Sequence, residues 1–121
     1  MSKHNAKIKN ISDLKDAKVA IENLGCDPGS IPIMAPKMIH RIIELENIHL
    51  QDAIIIKQDM LSIGGEVAVP KHTFQLNGAP TSILICGTLQ QHLTLVDKLK
   101  RHYQRLKNVS QELDKLILSI L

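Results

Sequence analysis

Apolar positions recur along this chain with a period that changes several times, and each change marks an element. Leu50, Ala53, Ile54, Ile56, Met60, Leu61 and Ile63 fall within one broad arc at about 100° per residue. They predict a helix from about His49 to Ile63, stopped by Gly64-Gly65. Lys57 lies near the middle of that arc, with Gln58 and Asp59 further round. Upstream, Ser12 as N-cap, the stripe Leu14, Ala17, Val19 to Ile21 and Leu24, and a stop at Gly25 predict a first helix. Asp27-Pro28-Gly29-Ser30 reads as a turn, and Ile31 to Met34 as a short edge strand that Pro36 ends.

Met38 to Asn47 fits two periods. As a strand it places Ile39, Arg41, Ile43 and Leu45 on one face and His40, Ile42, Glu44 and Glu46 on the other. As a helix it gains Pro36 near its first turn and a Met38, Ile42, Leu45 stripe. Further strands are expected at Glu66 to Val69, at Thr73 to Leu76 before the Asn77-Gly78 turn, and at Ser82 to Cys86, whose unbroken apolar run suggests burial on both faces. Thr88 and Gln91 make a T-x-x-Q capping box ahead of the stripe Leu89, Leu93, Val96, Leu99, Tyr103 and Leu106. Asn108 or Ser110 then caps a last helix carrying Val109, Leu113, Leu116, Ile117, Ile120 and Leu121.

Reading Met38 to Asn47 as a strand completes a strand-helix-strand unit followed by another strand and helix. The expectation is an α+β fold, with helices layered on one small mixed sheet in the manner of a ferredoxin-like sandwich, plus an N-terminal and a C-terminal helix. One domain over residues 1–121 is expected, with 1–10 a disordered tail and 109–121 a helix available to an interface. No internal repeat or low-complexity segment interrupts it.

Composition narrows the function. Hydrophobic residues make up 44% of the chain, yet Phe74 and Tyr103 are its only aromatics. Single-stranded nucleic acid is held largely by aromatic stacking, so a net charge of +3 does not make a nucleic-acid binder. Cys26 and Cys86 read as free thiols, and no apolar run approaches the roughly 20 residues of a membrane span. A soluble, cytoplasmic protein is the expectation.

The chemistry-bearing candidates are few. Lys57 either meets an anionic group on a partner or ligand, or lays its methylenes on the core edge while its ammonium reaches water or Glu44. Arg41, if its stretch is a strand, adds a second cation. Gly87 and Thr88 stand at a strand-to-helix junction where backbone N–H groups can face an anion, although the capping box also satisfies those donors. The run Lys98, Lys100, Arg101, His102, Arg105 and Lys107 suggests phosphate contacts or a solvated helix end. Neither His40, His49, His72, His92 and His102 nor the tail residue His4 shows a metal-ligand spacing. No carboxylate pair is placed for acid–base work beyond Glu44 and Glu46, which a strand would expose. No catalytic residue, metal site or cofactor is expected.

Several segments together resemble the N-terminal extension of bacterial dihydropteroate synthases: Gly25-Cys26-Asp27-Pro28-Gly29, Ile33-Met34-Ala35-Pro36-Lys37, Glu44-Leu45-Glu46-Asn47, Lys57-Gln58-Asp59-Met60-Leu61 with Gly64-Gly65, and Gly87-Thr88-Leu89-Gln90-Gln91. The resemblance spans about residues 20–107. In that family the transferase chemistry belongs to a pterin-binding barrel, which needs about 250 residues. The resemblance therefore implies a non-catalytic accessory or interaction domain associated with folate biosynthesis. Its implied partners are a pterin-binding barrel protein in trans, or a second copy through the C-terminal helix, and no membrane. The alternative is a small-molecule or anion-binding domain, for a pterin or a phosphorylated metabolite. Candidate ligand or partner contacts are Arg41, Lys57, Gln58, Gly87 and Thr88.

Overall fold

The first helix, α1 (Leu14–Leu24), begins one residue later than its Ser12 signal. Asp13 is the N-cap, accepting a hydrogen bond from the Asp16 N–H at 2.7 Å. Gly25 at φ +87° ends the helix in the left-handed conformation that favours glycine. These details come from a computed structural model of the protein, which describes residues 3–121.

The segment expected as an edge strand is helical instead. A 3-10 turn (Pro28–Ser30), the short helix α2 (Ile31–Met34) and a second 3-10 turn (Ala35–Lys37) follow one another directly. Prolines stand in the first turn of each, where a missing N–H costs nothing, whereas Pro32 and Pro36 would leave gaps in a strand ladder.

The remaining elements are β1 (His40–Ile48), α3 (Leu50–Ser62), β2 (Glu66–Ala68), a 3-10 turn (Thr73–Gln75), β3 (Thr81–Thr88), α4 (Leu89–Leu99) and α5 (Gln104–Ile120). Met38 to Asn47 is thus mainly strand. Thr73 to Leu76 is not: the Thr73 hydroxyl donates to the Pro70 carbonyl at 2.7 Å, and Leu76 takes a positive φ, which winds the segment into a turn.

The strands form one sheet in the order β1-β3-β2, and both hydrogen-bonded pairs are antiparallel. β1 and β2 therefore run parallel to each other on either side of β3, a split β-α-β arrangement with α3 as its connection. The inward residues Ile43, Leu45, Val67, Ile83 and Ile85 are buried with Ala53, Ile56 and Met60 of α3 and Leu89, Leu95 and Val96 of α4. The other sheet face is open. Ile42 is 61% exposed and Leu84 41%, so the Ser82 to Cys86 run is buried on one face only; apolar residues at outward positions hide its alternation.

The apolar stripe from Leu89 to Leu106 is also not one helix. Extended Tyr103 separates α4 from α5, which folds back so that the buried Ser110 hydroxyl donates to the Val96 carbonyl at 2.9 Å. Ser110, expected as a cap, lies inside α5. Helical period survives this break because Tyr103 and Leu106 continue the spacing by position, while the chain reverses ahead of them, between Leu99 and Gln104. No helix among the described residues is long and apolar enough to cross a membrane.

Candidate functional site

Lys57 reaches the outer edge of β2. Its ammonium donates to the Val67 carbonyl at 2.7 Å and to Glu66 Oε1 at 2.9 Å, and that same carboxylate oxygen accepts from the Val67 N–H at 2.8 Å. Glu66 and Ala68 face β3 through Cys86 and Leu84, so the Val67 backbone groups are the ones that point away from the sheet. The pair of side chains satisfies both of them. Glu66, not Glu44, is the partner, and its hydrogen bonds from Lys57 and Val67 hold its carboxyl below the ordinary value.

Arg41 sits at the other side of the sheet. It faces Gly87 across the β1-β3 ladder, and its guanidinium donates to its neighbour's carbonyl, His40 O, at 3.0 Å and to the Ser12 carbonyl, tethering the segment ahead of α1. The fold thus brings Arg41 and Gly87 together and keeps Lys57 at the opposite edge. Gln58 is exposed on α3.

Gly87 is a packing requirement. A Cβ there would lie 2.5 Å from Met60 Cε and 2.8 Å from Gln91 Oε1, and one on Gly65 would lie 2.7 Å from the same methyl carbon. Met60, fully buried, is threaded between the two glycines. Thr88 caps α4 as its sequence signal requires: its hydroxyl accepts from the Gln91 N–H at 3.1 Å, while Gln91 Oε1 accepts from the Thr88 N–H at 2.8 Å. Gln91 also donates to the Ile63 carbonyl at 3.3 Å, joining this cap to the end of α3. A cleft of about 340 Å³ opens beside it, lined by Lys37, Ile63, Thr88, Gln90, Gln91 and Thr94.

Two polar centres escape the sequence reading. Asp52, in the first turn of α3, is buried and gripped by Arg105, Nε to Oδ2 at 2.8 Å and a terminal nitrogen to Oδ1 at 2.9 Å; the Tyr103 hydroxyl donates to Oδ1 as well. Burial acts to raise the Asp52 pKa, but the hydrogen bonds from Arg105 and Tyr103 outweigh it and hold the carboxyl below its ordinary value. Burial and the nearby carboxylate push the Tyr103 hydroxyl up. A small cavity of about 220 Å³ adjoins, bounded by His49, Leu50, Gln51, Leu76, Gly78 and Arg105. The signal for Asp52 was its spacing, since Asp52, Ile56 and Met60 stand four residues apart on the inward arc.

His92 is the second centre. It is 1% exposed, with Nε2 2.8 Å from the Arg41 carbonyl, and burial pushes its pKa down. The neutral ring with its proton on Nε2 fits that contact. Its spacing with Leu89, Val96 and Leu99, all buried, marked it as a core position. In the basic run, His102 pairs with Asp59 at 2.9 Å and Arg105 with Asp52, so those two side chains serve the fold.

Geometry of this kind defines a small α+β domain whose charged side chains close strand edges and join helices. Compared with known proteins, the chain is 28% identical over 103 residues to a "Probable bifunctional folylpolyglutamate synthase/dihydropteroate synthase" of Halobacterium salinarum. The match covers 85% of this chain and 12% of that protein, so the chain spans a small fraction of its relative's length. It is a distant homologue of that segment. No family model matches the chain, and no solved structure matches it.

Proposed function

We propose that the chain is a non-catalytic interaction domain that serves folate synthesis, equivalent to the extension that precedes the pterin-binding barrel in dihydropteroate synthases. The observation that carries this reading is the match of most of the chain to a short part of a protein named for folylpolyglutamate and dihydropteroate synthesis. Lys57, Arg41 and Thr88 are spent on contacts within the chain, which fits a structural use of these side chains. An interaction role is supported by α5, where Leu116 and Ile120, one turn apart on the same flank, remain 40% exposed or more while Leu113 and Ile117 fill the core. Such a strip suits a barrel helix as partner.

The test is light scattering on size-exclusion eluate of the chain mixed with a separately produced dihydropteroate synthase barrel. A complex that Leu116→Glu or Ile120→Glu abolishes is expected, and an unchanged elution of both components would refute the reading. Ligand binding is less well supported, because Arg41 and Lys57 occupy opposite edges of the sheet. A phosphate or pterin in the cleft beside the α4 cap would meet Lys37 and Thr88.

A further inference from the structure

The two edges of the sheet are treated differently. On β2 the outward N–H and C=O of Val67 are both taken by Glu66 and Lys57. On β1 the outward groups can be assigned from one contact: the Leu89 N–H donates to the Ile39 carbonyl at 2.7 Å. Ile39 therefore faces the β3 side, as do Arg41, Ile43 and Leu45 at alternate positions opposite Gly87, Ile85 and Ile83. His40, Ile42 and Glu44 turn their backbone groups away from the sheet. Among the described residues the His40 carbonyl accepts from Arg41, and nothing hydrogen-bonds the outward groups of Ile42 or Glu44. A run of such groups is a template for another strand.

We infer that β1 pairs antiparallel with β1 of a second copy, about a two-fold axis through Ile42. Two independent features choose this register. The backbone requires outward residues to face outward residues, which centres the pairing on Ile42 and sets His40 against the second copy's Glu44 on both sides. The side chains of these residues share the open sheet face, so the same register sets a ring N–H donor against a carboxylate and covers Ile42, 61% exposed, with its own copy. Shifting the register by one pair would set Glu44 against Ile42 and bring His40 against Glu46, where the strand is irregular and cannot continue the ladder. At the far end, the irregular register between Leu45 and Ile48, with Asn47 at φ +59°, ends the regular edge and limits the contact to these residues. The result is a continuous sheet of three strands from each copy. The contact uses no residue of α5, so it does not depend on the folate reading.

Light scattering at increasing concentration should give a mass approaching twice the 13.5 kDa of one chain. Ile42→Lys, at an exposed position, sets like charges across the axis and should weaken association by about tenfold or more. Amide exchange of the unmodified chain supplies a readout independent of that variant: the Ile42 and Glu44 amides should slow as the dimer forms, while those of Arg41 and Ile43 stay protected throughout. A single-chain mass up to millimolar concentration would overturn the inference. So would a dimer indifferent to Ile42→Lys, or one in which the Ile42 and Glu44 amides exchange as in the monomer.

Discussion

Arg105 grips both carboxylate oxygens of Asp52, at 2.8 and 2.9 Å, across a separation of 53 residues. The guanidinium also lies over the Tyr103 ring, 4.9 Å from its centroid. One buried acid thereby fastens the first turn of α3 to the reversal between α4 and α5.

Replacing Asp52 by Ala should cost about 2 kcal/mol, the order expected when charge-assisted hydrogen bonds are lost. Acid should erase the difference. The Asp52 pKa is held below its ordinary value near 3.8, so its contribution is complete above that value and is lost as pH falls through the lower folded-state value. The thermal melts of the two proteins should begin to converge as pH falls below about 4 and meet only below the folded-state value.

His92 acts in a higher window. Its pKa is depressed by burial, so the unfolded chain takes up a proton that the folded chain refuses, and stability falls as pH drops below the ordinary value of 6.5. His92→Gln, which keeps a donor toward the Arg41 carbonyl, should lower the melting temperature at pH 8 and flatten its decline between about pH 6.5 and 5. A decline of equal slope in both proteins would contradict this assignment.

Met60 and Gly87 are coupled by volume. Gly87→Ala forces a methyl against Met60 and Gln91 and should destabilise by about 1–3 kcal/mol, while Met60→Ala should cost about 2–5 kcal/mol through the cavity it leaves. The double variant should cost less than the two added together, because the new methyl occupies part of the vacated space. Urea unfolding of the four proteins measures the coupling.

Lys57→Met keeps the aliphatic stem and removes the ammonium from the β2 edge. A loss of about 1 kcal/mol is expected, with faster amide exchange confined to Glu66–Ala68. Uniform loss of protection across the sheet would show that Lys57 supports more than this edge.

Much of the secondary structure was legible because it depends on local rules. The capping box at Thr88 and Gln91, the glycine stop after α1 and the inward arc of α3 each follow from residues within one or two turns of one another. The strands β2 and β3 were visible in the same way, whereas the stretch of β1 fits two periods and reads as a strand only because that completes a strand-helix-strand unit. The winding of Ile31 to Met34 reads as extended in the sequence because proline is compatible with both an edge strand and a first helical turn. The break at Tyr103 was invisible because helical spacing continues across it.

The site was less legible, since charge partners are set by distance in space. Lys57 stood out as an anomaly on an apolar arc, but its role required knowing that Val67 of β2 lies beside it with its backbone groups facing outward. Asp52 and His92 hid among apolar neighbours, as their inward spacing demanded, and only the packing of α3, α4 and α5 supplied Arg105, Tyr103 and the Arg41 carbonyl. Local sequence determined which segments wind, extend and stop, because propensity and capping act over a few residues. Tertiary structure decided which sheet edge is closed by a lysine and which is left open at Ile42, because strand order is a long-range choice made by burying the inward faces together.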